Sequence, residues 1–181
     1  TQYGLSIILG GAESTRWELG SVYTGMAKTV IDFERNNYMY DANSYESPNL
    51  LIKNKKKQNL EKEGIFSFAS IWQTFEVLSE VARPIDEGNW EEFSSSSKIA
   101  WKTGTSFGHK DAWAIGITPE YVTVVWVGNA DGEGRPGLTG TNIAAPIMFS
   151  VFEKLPKTSW FETPYENMEE VLVCESSGDV A

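Results

Sequence analysis

A chain of 181 residues with 41% apolar and 13% aromatic content is long enough to bury one sizeable core, which excludes a disordered segment. Its formal net charge of -10 argues against a phosphate-binding surface, because nucleic-acid affinity rests on Lys and Arg displacing counterions; no nucleic-acid partner is expected. One cysteine (Cys174) closes no internal disulfide, one histidine (His109) leaves no cluster of soft metal ligands, and no stretch approaches the ~18 consecutive apolar residues of a membrane span, so neither a metal nor another cofactor is expected.

The chain opens at Thr1 without a methionine, inside what reads as an ordered segment, so a piece of a longer protein is expected. Gly10-Gly11 bends into a helix that starts at Thr15-Arg16-Trp17-Glu18, a capping box in which the threonine hydroxyl and the glutamate carboxylate satisfy each other's first-turn amides. Trp17, Leu19, Val22, Tyr23, Met26 and Ala27 then recur at mostly helical spacing and predict a helix over 16–28. Residues 34–63 change character. Asn, Ser and Tyr and the run Lys53 to Lys57 dominate, with Leu50-Leu51-Ile52 as a strand-like patch, and the stretch reads as a hairpin or irregular excursion. The lysine run is read as a solvated face rather than a polyanion site, as short charge runs usually are.

Ser67 introduces a second amphipathic helix, 68–82, carrying Ile71, Trp72, Phe75 and Leu78 and stopped before Arg83-Pro84. From residue 98 the period switches to two, and three β-rich runs follow: Ile99 to Ser106, Ala112 to Thr118, and Tyr121 to Val127. The Thr118-Pro119-Glu120 turn is short enough to make the runs an antiparallel meander. After a Gly-rich loop at 132–140, Asn142 or Thr141 is expected to cap a third helix, 143–155. Val171-Leu172-Val173 is read as one more short strand. The fold class is therefore α+β, a three-stranded antiparallel meander (about 98–128) packed against helices at about 16–28, 68–82 and 143–155.

Lys102-Thr103-Gly104-Thr105-Ser106 lies inside the first strand of the meander, where a glycine costs packing and chain entropy. A strand edge with glycine at its centre lets another backbone lie close, while an ammonium and flanking hydroxyls can hold an anionic group, which is the layout for an extended peptide ending in a carboxylate. On its own, Lys-Thr-Gly also fits a strand with a bulge. It is, however, one of three motif elements of the class A β-lactamases and penicillin-binding proteins. Tyr3-Gly4-Leu5-Ser6, Leu9-Gly10-Gly11-Ala12-Glu13, Arg83-Pro84, Trp101 to Ser106, Asp111-Ala112-Trp113, Trp126-Val127-Gly128-Asn129 and Ala144-Ala145-Pro146-Ile147 together resemble the bifunctional peptidoglycan synthases of the penicillin-binding protein 1C type.

The resemblance implies that residues 1–155 are the C-terminal part of a transpeptidase domain of the β-lactamase-like fold, with a variable insertion at 34–63, and that 156–181 lead toward a further C-terminal domain. It implies a serine that attacks a D-Ala-D-Ala stem peptide and passes the acyl group to an amine of a neighbouring strand, cross-linking peptidoglycan. Lys102 then supplies positive charge, and the Thr105 amide is one of two oxyanion donors, a contact worth roughly 3 kcal/mol of barrier. Thr103, Gly104, Thr105 and Ser106 bind substrate. In the family the S-x-x-K helix and the S-x-N loop precede the Tyr3 segment, so the nucleophilic serine and its lysine lie upstream of Thr1, and the isolated chain is expected to be inactive. Ser95-Ser96-Ser97-Lys98 and Ser47-Pro48-Asn49 match those motifs in letters but in the wrong places, and are read as chance. The implied partners are stem peptides and, for the parent protein, β-lactams. The implied location is the periplasmic side of the inner membrane, with an anchor outside this chain.

Two other readings stand beside this one: a non-catalytic binding or scaffold module of the same fold, and a D,D-carboxypeptidase or β-lactamase. The family's sheet pairs the last strand of the meander with a strand from before the serine, so 121–127 is expected to present an open edge that pairs with a second copy or a rearranged local segment. His109 is read as a solvated loop histidine, Trp113 and Trp126 as sheet packing, and Cys174 as a small apolar filler.

Overall fold

The computed structural model describes residue 4 and residues 12–51, 57–83 and 98–180. Helix α1 (Arg16–Asp32) begins at the expected capping box: Thr15 Oγ1 accepts from the Glu18 amide at 3.2 Å, and Glu18 Oε2 accepts from the Thr15 amide at 2.7 Å. The Thr15 amide and hydroxyl hold the Glu18 carboxyl below the usual carboxylate range. The helix runs past residue 28 to Asp32; Leu19, Tyr23, Met26 and Ala27 of the predicted stripe pack on the core, whereas its Trp17 and Val22 do not, and small residues share the buried side. Trp17 and Val22 are 46% and 43% exposed, whereas Ser21, Gly25, Ala27, Thr29 and Val30 are buried. Small polar residues can enter the core here because Ser21 donates back to the Trp17 carbonyl and Thr29 to the Gly25 carbonyl, leaving no hydroxyl unpaired. A side chain at Gly25 would collide with the Tyr45 ring, so the mid-helix glycine reflects a close approach.

The excursion after α1 is a hairpin closed by two short antiparallel strands, β1 (Tyr40–Asp41) and β2 (Leu60–Glu61). The strand-like patch is elsewhere: Leu50 and Leu51 lie in a bend, 87% and 71% exposed, and Ile52 to Lys56 fall outside the described residues. Ser67 caps α2 (Phe68–Ser79), whose buried positions Phe68, Ile71, Phe75 and Ser79 follow the helical repeat. It ends at Ser79 rather than at 82. Ser79 donates to the Glu76 carbonyl and the Glu80 amide to that of Val77, tightening the last turn, and the freed Val81 carbonyl accepts from the Trp101 indole at 3.3 Å.

The meander forms as expected, from β3 (Ala100–Thr105), β4 (Asp111–Ile117) and β5 (Val122–Gly128), with β4 central. Its register pairs Lys102 with Ile115, Gly104 with Trp113, and Trp113 with Trp126. One face of the sheet (Ala100, Ile115, Ile117) packs on Ala27, Val30, Ile71 and Phe75 of α1 and α2. The opposite face (Trp101, Ala112, Ala114) packs on Ala144, Ala145, Met148 and Phe149. Those residues belong to a π-turn (Gly140–Ala144) running into α3 (Ala145–Phe152), so the third helix is shorter than 143–155 and its cap is neither Thr141 nor Asn142. Thr139 takes that role, accepting from the Asn142 amide at 3.2 Å. Gly140, the first residue of the π-turn, lies directly against the sheet. Beyond Pro156, Phe161 is buried against Phe75 with ring centroids 5.1 Å apart. Val173 makes only a single bridge, to Val180, in place of the short strand read at 171–173.

Candidate functional site

β3 is an edge strand, and among the described residues no strand lies beyond it. Strand alternation sends Lys102 and Gly104 to the face shared with α1, and Thr103 and Thr105 to the face shared with the π-turn. Lys102, Gly104 and Thr105 are exposed, while Thr103 and Ser106 are half-buried. Alongside runs a groove of about 570 Å3, walled by Lys102, Gly104 and Trp113 on the sheet and by Glu13, Leu19 and Tyr23 at the start of α1. The Lys102 ammonium folds back to donate to the Thr103 carbonyl.

Gly104 behaves differently from what the motif suggested. A Cβ there would meet only Trp113 Cβ, at 3.7 Å, an ordinary contact, so nothing inside the fold requires glycine at 104. Two tight glycines lie on or against the same sheet: Gly116, where a Cβ would strike the Phe152 ring and come within 2.8 Å of Met148 Sδ, and Gly140. At Gly140 a Cβ would sit 2.5 Å from the Trp113 carbonyl oxygen, 2.6 Å from that of Gly104 and 2.8 Å from Thr103 Cβ. From this position the Gly140 amide donates to Thr105 Oγ1 at 3.0 Å, and Thr141 Oγ1 lies 3.4 Å from Thr103 Oγ1.

Ser106 closes the β3–β4 hairpin: its amide donates to the Asp111 carbonyl at 3.0 Å and its hydroxyl accepts from the Asp111 amide at 2.8 Å. The turn between them uses φ of +76° at Gly108 and +54° at His109. His109 is exposed, as read, with Nδ1 3.2 Å from the Leu138 carbonyl, and its own carbonyl accepts from the Arg135 amide. The Gly-rich loop is thereby tied to the hairpin tip. Trp113 is half-buried and walls the groove as well as packing the sheet; Trp126 donates to Asp111 Oδ1 at 2.9 Å and carries the Arg16 guanidinium 5.3 Å above its ring.

Of the motif look-alikes, Ser95 to Ser97 fall outside the described residues. Lys98 is in an ion pair with Glu76 at 2.6 Å and stacks 4.7 Å from Trp160, well away from the groove lining. Ser47 and Asn49 are exposed in the excursion. Cys174 is no apolar filler: it is exposed, with Sγ 3.3 Å from Ser176 Oγ, and hydrogen bonds from Ser176, then Ser177, lower its thiol to about 6. Sequence reasoning missed Glu13 and Tyr23 as groove walls, and Gly140 and Thr141 behind the strand. Glu13 stands in the Leu9-Gly10-Gly11-Ala12-Glu13 stretch of the resemblance and Tyr23 in the apolar stripe of α1, but nothing local ties any of the four to the strand, since their roles arise from contacts across long separations.

Three relatives frame this geometry. Over 147 residues the chain is 27% identical to penicillin-binding protein 1C of Escherichia coli, a match covering 81% of the chain and 16% of that protein. It is 31% identical over 158 residues to penicillin-binding protein 1A of Rickettsia typhi, covering 78% of the chain and 20% of that protein. The chain belongs to the class A penicillin-binding proteins. A shorter match, 47% over 51 residues, is to penicillin-binding protein 1A of Neisseria gonorrhoeae and covers 27% of the chain and 6% of that protein. The chain thus spans a fifth or less of the length of these penicillin-binding proteins. No family model matches the chain, and no solved structure matches it. Among the described residues no helix is long and apolar enough to cross a membrane.

Proposed function

We propose that this chain carries the substrate-binding strand of a peptidoglycan D,D-transpeptidase with a partial β-lactamase-like fold. The observation that carries the reading is that Lys102, Thr103, Gly104 and Thr105, the residues the family resemblance singles out, lie on an exposed sheet edge beside an open groove. An extended stem peptide would lie along β3 as an added strand, close to Gly104, with its terminal carboxylate near the Lys102 ammonium and the threonine hydroxyls. A serine supplied from outside this chain attacks the penultimate carbonyl, D-alanine leaves as the amine, and the Thr105 amide holds the oxyanion with the serine's own amide. An acceptor amine then displaces the serine and forms the cross-link. β-Lactams would occupy the same edge in the parent protein, which works on the periplasmic side of a membrane through an anchor outside this chain.

The test is to titrate the labelled chain with an N-acyl-D-alanyl-D-alanine peptide and to follow the amide resonances of residues 102–105 by NMR. Shifts confined to that strand and groove, abolished in Lys102→Ala, are expected, with no covalent labelling by a fluorescent penicillin. Absence of shifts, or a penicillin adduct mapped to any serine of this chain, would overturn the reading.

A further inference from the structure

The Gly140-Thr141 turn lies outside the groove and touches Thr103 and Thr105, which line it, at a place where packing alone would be served by any small apolar residues. What it presents instead is an amide and a hydroxyl, each set against one of the two threonine hydroxyls of the edge. A hydroxyl has one proton to give and lone pairs to receive. Because the Gly140 N–H already occupies a lone pair of Thr105 Oγ1, the proton of that exposed hydroxyl is left to be donated outward. A carboxylate is acceptor-only, so the arrangement favours an anionic end group over a neutral one. At Thr103 the pairing with Thr141 Oγ1 does the same when Thr141 is the donor: either hydroxyl can give its proton across the 3.4 Å, and a bond from Thr141 leaves the Thr103 proton to be donated outward.

Two features keep the turn at this distance. Gly140 has no side chain to hold it off the Trp113 and Gly104 carbonyls, and Thr139 caps the π-turn through the Asn142 amide. The turn is anchored at its other end as well, since the Leu138 amide bonds the Arg135 carbonyl while the Arg135 amide bonds the His109 carbonyl across the hairpin. We propose that Gly140 and Thr141 are positioning residues of the peptide-binding edge, which orient the Thr105 and Thr103 hydroxyls as donors and so set its preference for a free C-terminal carboxylate. The inference rests on the peptide-binding reading above and adds to it a determinant of specificity that lies outside the groove.

The experiment compares two probes on the whole chain, N-acyl-D-alanyl-D-alanine and the same peptide ending in a carboxamide, by NMR titration of the wild type, Gly140→Ala, Thr141→Val and Thr141→Ser. Hydrogen bonds to a charged group are worth enough that losing the orientation of Thr105 should cut carboxylate affinity about tenfold in Gly140→Ala. Thr141→Val should lose roughly threefold by the same reasoning, and Thr141→Ser should retain wild-type preference. The carboxamide peptide should bind all four alike. A merely structural turn would lower both affinities together or neither, and either result in Thr141→Val overturns the inference even if Gly140→Ala fails to fold. Failure of the wild type to bind either peptide would sink the peptide-binding reading and this inference with it. Binding by the wild type that is lost in Lys102→Ala but indifferent to Thr141→Val would sink the inference alone.

Discussion

The two edges of the three-stranded sheet solve the same problem in opposite ways. Both β3 and β5 pair with β4 on one side and, among the described residues, with no strand on the other. At β3 the exposed stretch is Lys102 to Thr105, polar side chains around a glycine, and the Gly140 turn already satisfies part of it. At β5 the stretch is Val122 to Val127, apolar but for Thr123, beside a second groove of about 570 Å3 walled by Trp17, Ile31, Tyr121, Val122 and Val124. A polar edge can stay wet until a ligand arrives, whereas an apolar edge gains free energy from being covered by any extended segment. We read the first as a binding site and the second as a surface that the rest of a sheet, or a second copy, would cover.

The glycines offer the strongest test of this contrast, because the two central ones have different reasons for being there. Gly116→Ala should destabilise the chain by about 1–3 kcal/mol in urea unfolding, since its new methyl enters space held by Phe152 and Met148. Gly104→Ala should do the reverse, raising stability by roughly 0.5–1 kcal/mol through reduced unfolded-state entropy while weakening peptide binding at the edge. Loss of stability in Gly104→Ala would show that β3 is packed as tightly as β4 and remove the distinction. The smallest effect on stability should come from Thr123→Lys, within about 0.5 kcal/mol, because the residue is half-buried on an edge. In sedimentation the same variant should lower any self-association of the chain. A wild type that is monomeric at all concentrations would refute pairing of two copies through β5.

Much of the architecture was legible in the residues because it rests on short-range chemistry. The capping box at Thr15 and Glu18, the Ser67 cap, the period-two runs and the Thr118 turn are each decided within a few residues, and each stands in the structure. The predicted ends fail where a tertiary partner intervenes. α2 stops early, its Val81 carbonyl being taken by Trp101, and the third helix opens as a π-turn at Gly140–Ala144 before it becomes α-helical at Ala145. On α1 the stripe of Leu19, Tyr23, Met26 and Ala27 faces the core as its spacing predicts, but Ser21 and Thr29 join it because they hide their hydroxyls in their own helix, which no hydropathy pattern records.

The site divides in the same way. By itself the sequence determined that Lys102, Thr103, Gly104 and Thr105 share one strand, with side chains alternating between its faces, since a period of two follows from the pleat. Only the tertiary structure decided which strand is an edge, that a groove opens beside it, and that Gly140 and Thr141 stand behind its hydroxyls. Those contacts join residues 35 and more positions apart, and their geometry depends on how the sheet and α3 pack rather than on any local preference of the chain.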